Sequence, residues 1–185
     1  MKNIKLVIVF LLTGSLACLI SQSYGQTQQD NSGGLVPNDV QKKIHQLSSN
    51  DPKQRAKAAC ALGKMKDRAA PSIPFLISLL SDGAAIDPSL QCKNEFPFED
   101  EEWQPAFEEL HESTVGFAAT QALIAIYEPA IKPLIQTLVN GADWRARKNA
   151  AWALFHRGGV RSDVMEALIE GTKDDDWQVR AQSAY

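Results

Sequence analysis

The chain has little of what catalysis usually draws on. Its three histidines, His45, His111 and His156, are scattered, no His-Glu-x-x-His occurs, and the helix positions of His45 and His156 read as solvent-facing. There is no Cys-x-x-Cys pair, no phosphate-cradling glycine loop, no Gly-x-Ser-x-Gly elbow and no EF-hand loop, so the usual metal, nucleotide and nucleophile motifs are missing. The expectation is a protein without catalytic, cofactor-binding or metal residues. Long apolar runs are missing too. The uninterrupted stretch Leu6 to Leu12 falls well short of the ~20 residues of a membrane span. Basic residues are outnumbered, 19 against 22 acidic, which argues against nucleic acid as a partner, because phosphate binding rests on clustered lysine and arginine.

What is present begins with an export signal. Lys2 and Lys5 precede the apolar run, and a more polar stretch ends at Ser23-Tyr24-Gly25, the small residues that cleavage requires. Residues 1–25 therefore read as a signal peptide, and the protein as periplasmic or extracellular. Ser15-Leu16-Ala17-Cys18 offers an alternative, a lipoprotein anchored at Cys18 and membrane-attached only in that case. Loss of Lys2 and Lys5 leaves 17 basic against 22 acidic residues, a net charge of −5. Cys60 and Cys92 then remain, and an oxidising compartment allows them to form one disulfide. Two unpaired thiols are the other reading. Residues 26–36, QTQQDNSGGLV, read as a flexible spacer.

From Pro37 the pattern turns helical. Asn38 or Asp39 is placed to cap a helix with Val40, Ile44 and Leu47 on one face, and Pro52 to open the next. Three segments then align: QRAKAACALGKM from Gln54, VGFAATQALIAI from Val115 and ARKNAAWALFHR from Ala146, with a fourth begun at Val179. Leu62, Leu123 and Leu154 coincide, as do Arg55, Arg147 and Arg180, with Gly116 the exception. The steps from Gly116 to Arg147 and from Arg147 to Arg180 are nearly equal. A period of this size, a little over one helix pair, is that of stacked helical units. Each alanine-rich helix is followed by an apolar one carrying Ile73, Leu76, Ile77 and Leu80, then Ile131, Leu134, Ile135, Leu138 and Val139, then Val164, Met165, Leu168 and Ile169. The fold expected is an all-α solenoid of stacked antiparallel helix pairs over residues 37–185. Its last repeat is incomplete at Tyr185, which reads as a truncated frame with a frayed end.

The segments DPKQRAKAACALG, DWRARKNAAWAL and DDDWQVRAQSAY resemble the HEAT-like repeats named after phycobilisome lyases. Asp143-Trp144 and Asp176-Trp177 match the opening of that unit, and Pro71, Pro74, Pro129 and Pro133 match its turn. The resemblance implies an armadillo-like scaffold that binds a protein or peptide partner. Two enzymatic branches share the architecture. Bilin lyases act in the cytosol, against the export signal. Deoxyhypusine hydroxylases hold iron through several His-Glu pairs, where this chain has only His111-Glu112.

The step from Arg55 to Gly116 is about twice the period of the later units, so an insertion lies between the first two, at 84–113. Pro88 and Pro97 make its first half a loop, and Trp103, Phe107 and Leu110 allow a short helix in its second. Glu99, Asp100, Glu101, Glu102, Trp103 and Phe107 form an acidic, aromatic group that reads either as a partner-binding patch or as a solvated surface loop. Trp144 and Trp177 divide the same way, between binding anchors and covers for the preceding helix pair. The arginines read as bonds to helix ends or to acids of the adjacent unit, or else as a basic ladder for an acidic partner that Gly116 interrupts. The functional expectation is a non-catalytic interaction scaffold of the bacterial envelope, or else a structural spacer in an envelope assembly.

Overall fold

The computed structural model describes residues 36–92, 113–157 and 161–184. The compact unit runs Val36–Tyr185. Its α-helices are α1 (Asn38–Leu47), α2 (Pro52–Lys64), α3 (Ile73–Ser78), α4 (Val115–Ile126), α5 (Glu128–Asn140), α6 (Trp144–Arg157), α7 (Ser162–Gly171) and α8 (Trp177–Ser183). Helices α2, α4, α6 and α8 form one layer; α3, α5 and α7 pack side by side in the other. This is an all-α, HEAT-like solenoid.

The first layer packs closely because its residues are small. Ala58, Ala119, Ala122, Ala150 and Ala153 are buried, and Leu62, Leu123 and Leu154 fill the space between the layers at 0, 0 and 1 % exposure. At Gly63 a Cβ would stand 3.0 Å from the Ala122 Cα, so α2 and α4 approach almost backbone to backbone. The helices start where short polar side chains satisfy free N–H groups. Asp51 accepts from the Lys53 N–H and Thr114 from the Phe117 N–H, while Asp176 accepts from those of Gln178 and Val179. At α1 the expected cap is absent: neither Asn38 nor Asp39 precedes the helix, Pro37 does, and Asp39 instead pairs with Arg68 at 2.9 Å.

The second layer departs further from the sequence pattern. Helix α3 is only six residues long, and a 3₁₀ segment, Lys66–Ser72, containing Pro71, leads into it. Ile73, Leu76, Leu80, Ile131, Leu134, Leu138, Val164 and Leu168 are buried, but Val139, Met165 and Ile169 are 46, 48 and 55 % exposed. The apolar stripe is wider than the strip the first layer covers. Helices α4 and α5 meet at the single residue Tyr127, held at φ 68°, a conformation uncommon outside glycine.

Gly116 stands where the turn after α3 comes close against α4. Its N–H donates to the Asp82 carbonyl at 2.8 Å, and a Cβ there would lie 2.7 Å from the Leu80 oxygen. Gly116→Ala is expected to lower stability by about 1–3 kcal/mol, the usual range for overpacking. Urea unfolding followed by circular dichroism checks this; an unchanged midpoint would show that the turn shifts freely.

Candidate functional site

The recurring arginines are occupied. Arg55 Nε donates to Asp82 Oδ2 at 2.8 Å, and its Nη1 donates to the carbonyls of Ser49 and Asn50 at 2.8 and 3.2 Å. Arg147 repeats the arrangement, gripping Asp174 through Nε and Nη2 at 2.6 and 2.9 Å and the Gly141 and Ala142 carbonyls at 2.9 and 3.2 Å. Arg180 donates to the Asp174 and Asp175 carbonyls, both at 2.8 Å. Each of Arg55 and Arg147 thus ties the turn before its own helix pair to the turn after it. The planar fork of guanidinium suits this, with donors for carboxylate and carbonyl at once. Its acid stands 27 residues on in both cases, a spacing visible in the sequence once the arginines are aligned. Between these two clamps Gly116 has no side chain, and the backbone bond to Asp82 takes over.

The carboxyl of Asp174 titrates below its usual value, first because Arg147 donates to it; burial opposes the shift, and the Asp176 N–H and the charges of Arg147 and Arg180 reinforce it. A carboxylate with a depressed folded pKa stabilises fully above its unfolded pKa and loses that contribution as pH falls through the folded value.

Around the fourth helix the insertion leaves and returns on an ordered stem. Ala85 and Thr114 form an antiparallel bridge. The Ile86 N–H donates to the Ser113 carbonyl at 2.8 Å and the Val115 N–H to that of Ala84 at 3.1 Å. Gln91 Nε2 reaches Ser113 Oγ at 2.6 Å, and the Cys92 N–H reaches Gln121 Oε1 at 3.0 Å. Cys60 and Cys92 are joined as a disulfide across Cα atoms 5.0 Å apart, fastening the stem to α2. Glu99, Asp100, Glu101, Glu102, Trp103 and Phe107 lie outside the described residues, as does His111.

Trp144 and Trp177, which open equivalent helices, differ. Trp144 is half-buried under the Arg145 guanidinium at 4.5 Å and the Lys148 ammonium at 5.4 Å, a cation–π cover. It borders a shallow hollow lined also by Asp82, Gly83, Phe117 and Asn149. Trp177 is 60 % exposed. The structure therefore does not bring the two indoles into one kind of setting. His45 is exposed as its position implies, but His156 is half-buried, its ring 3.9 Å from that of Trp152, and is not the solvent-facing residue expected. Among the described residues no group of three or more His, Cys, Asp or Glu is placed to hold a metal ion, and no helix is long and apolar enough to cross a membrane.

The family model of the PBS lyase HEAT-like repeat matches residues 54–82, the span from α2 to the acid of the first clamp. The chain is a HEAT-like repeat protein. The lyase in the repeat's name describes that family and carries no activity to this chain. No curated protein matches this repeat protein by sequence.

Arg147→Ala is expected to cost about 3 kcal/mol, as when one partner of a largely buried ion pair is removed, with Arg147→Lys recovering only part. Denaturant midpoints measured from pH 7 down to about pH 2 should fall, and Asp174→Asn should lower stability at pH 7 while flattening that fall. A parallel pH profile in Asp174→Asn would remove the clamp from the explanation. Separately, the Cys60–Cys92 bridge closes a sequence separation of 32. Cys92→Ser is therefore expected to lower stability by up to about 3–4 kcal/mol on the chain-entropy estimate, read as a drop in Tm that a reductant reproduces in the parent protein.

Proposed function

We propose that the protein is a non-catalytic interaction scaffold of the bacterial envelope, binding a protein or peptide along its second layer of helices. The observation that carries this reading is that every second-layer helix leaves a large apolar side chain in solvent: Phe75 on α3 at 46 %, Val139 on α5 at 46 %, and Met165 and Ile169 on α7 at 48 and 55 %. Scattered exposed apolar residues are ordinary, but here they recur on three helices packed side by side, where a partner would bury them together. The insertion, with its acids and aromatics, is a second element of the binding surface in this reading.

Export is supported by the signal layout of residues 1–25 and by the Cys60–Cys92 pairing, which suits an oxidising compartment. Catalysis is set aside because the sequence carries none of the usual ligand sets.

Affinity capture from envelope extracts, at several salt concentrations, tests the reading. A partner retained by the parent protein and lost with Val139→Glu, while helix content stays the same, is the expected result. Absence of any partner across the salt series, or stoichiometric iron in the purified protein, would overturn it.

A further inference from the structure

Arg145 stands apart from the other arginines whose side chains are described. Arg55, Arg68, Arg147 and Arg161 each bond a carboxylate, and Arg180 bonds two turn carbonyls. The Arg145 side chain donates no hydrogen bond and joins no ion pair among the described residues. The acid nearest to it in sequence, Asp143, is engaged at the start of α6. There its Oδ1 accepts from the Arg145 and Ala146 N–H groups at 2.8 and 3.4 Å.

The guanidinium is nevertheless held in place. Its Cζ stands 4.5 Å from the centroid of the Trp144 ring, and the side chain runs against Gly83, where a Cβ would meet Nε at 3.4 Å. A guanidinium resting on an aromatic face keeps its N–H fork for a planar acceptor, and ordering it beforehand lowers the entropy cost of binding. Lys148, one turn on, lies 5.4 Å over the same ring and reaches Gln178 Oε1 at 3.4 Å. Both cations border the hollow, together with Leu80 and Phe117. The acid among its described lining residues, Asp82, is taken by Arg55 Nε and by the Ala84 N–H, which leaves the mouth positive. The enclosed space is about 20 Å³, against several hundred for a metabolite or cofactor pocket. That is room for a group little larger than a water molecule, so the ligand is the end of a side chain.

We propose that Arg145, with Lys148 beside it, receives the carboxylate of an aspartate or glutamate from an acidic peptide partner. The carboxylate accepts two N–H groups of the guanidinium side by side, Lys148 adds charge, and Leu80 and Phe117 offer apolar surface to the methylenes behind it. Phosphate recognition draws on clusters of arginine, and here Arg55 and Arg147 are committed to Asp82 and Asp174. None of the exposed apolar residues of the second layer lines this hollow. The site therefore goes beyond the second-layer reading, and either can fail without the other.

Titration of the purified protein with a fluorescein-labelled peptide of alternating glycine and glutamate tests it, followed by anisotropy at about 20 mM salt, where screening is least. The glutamate peptide should bind saturably, and the same peptide with glutamine in place of glutamate should not. In nitrogen-15 spectra the Arg145 Nε–H resonance, assigned by its loss in Arg145→Lys, should shift as the glutamate peptide is added. Arg145→Lys keeps the charge and loses the fork, so it should weaken binding about tenfold, and Arg145→Ala at least as much, with melting curves unchanged. Absence of saturable binding overturns the proposal. So does an Arg145→Lys protein that binds as tightly as the parent, the result that diffuse attraction to surface charge would give. A phosphoserine peptide that shifts the Arg145 resonance where the glutamate peptide does not overturns it as well.

Discussion

A first layer made largely of alanine has little apolar surface with which to fix the turns at its ends, and the arginine clamp supplies what packing does not. The guanidinium of Arg55 or Arg147 satisfies two turn carbonyls and a carboxylate in the following turn, each arginine side chain being 16 % exposed. A lysine would offer a point charge in place of that fork. The clamp therefore sets the distance between successive inter-unit turns. That distance in turn lets α2 lie against α4 closely enough for Gly63 to meet Ala122.

The insertion tests this constraint, because it enters where a clamp would stand. An arginine at position 116 would look for turn carbonyls five and six residues earlier, as Arg55 does, and those positions fall within the insertion itself. The chain instead runs 84–86 alongside 113–115 and lets the N–H groups of Val115 and Gly116 bond the carbonyls of Ala84 and Asp82. Backbone replaces side chain, and the turn comes so near α4 that only glycine fits. Asn149 adds a side-chain bond to the Leu80 carbonyl at 2.8 Å from the third unit. The stack continues past the insertion without a gap.

Much of this is legible in the sequence, and the parts that are not share a cause. The recurring alanines, leucines and arginines mark the first layer and its period, since a helix packed on two sides must repeat its small residues. The acids Asp82 and Asp174 escape notice despite their constant offset from the arginines, because an acid in a polar turn reads as solvated, whether alone like Asp82 or in a run of three like Asp174. The second layer reads as more buried than it is: periodicity marks an apolar face, and Met165 and Ile169 satisfy it, yet only Val164 and Leu168 meet the first layer. His156 misleads for a related reason. A polar residue near a helix end looks exposed until its neighbours, here Trp152 and Phe155, close over it.

That excess of apolar surface bears on what the stack is for. A helix pair that only needed to cover its neighbour would carry polar residues at 139, 165 and 169, as it does at Lys132 and Gln136, both exposed on α5. Exposed apolar side chains cost solubility and gain nothing inside the fold. The arginine clamps, by contrast, explain themselves within the monomer. The sequence thus separates into residues the fold accounts for fully, such as Arg55, Arg147, Leu62 and Gly116, and residues it leaves over. Those left over fall along the second layer, and a contact outside the single unit is the physical reason that would account for them.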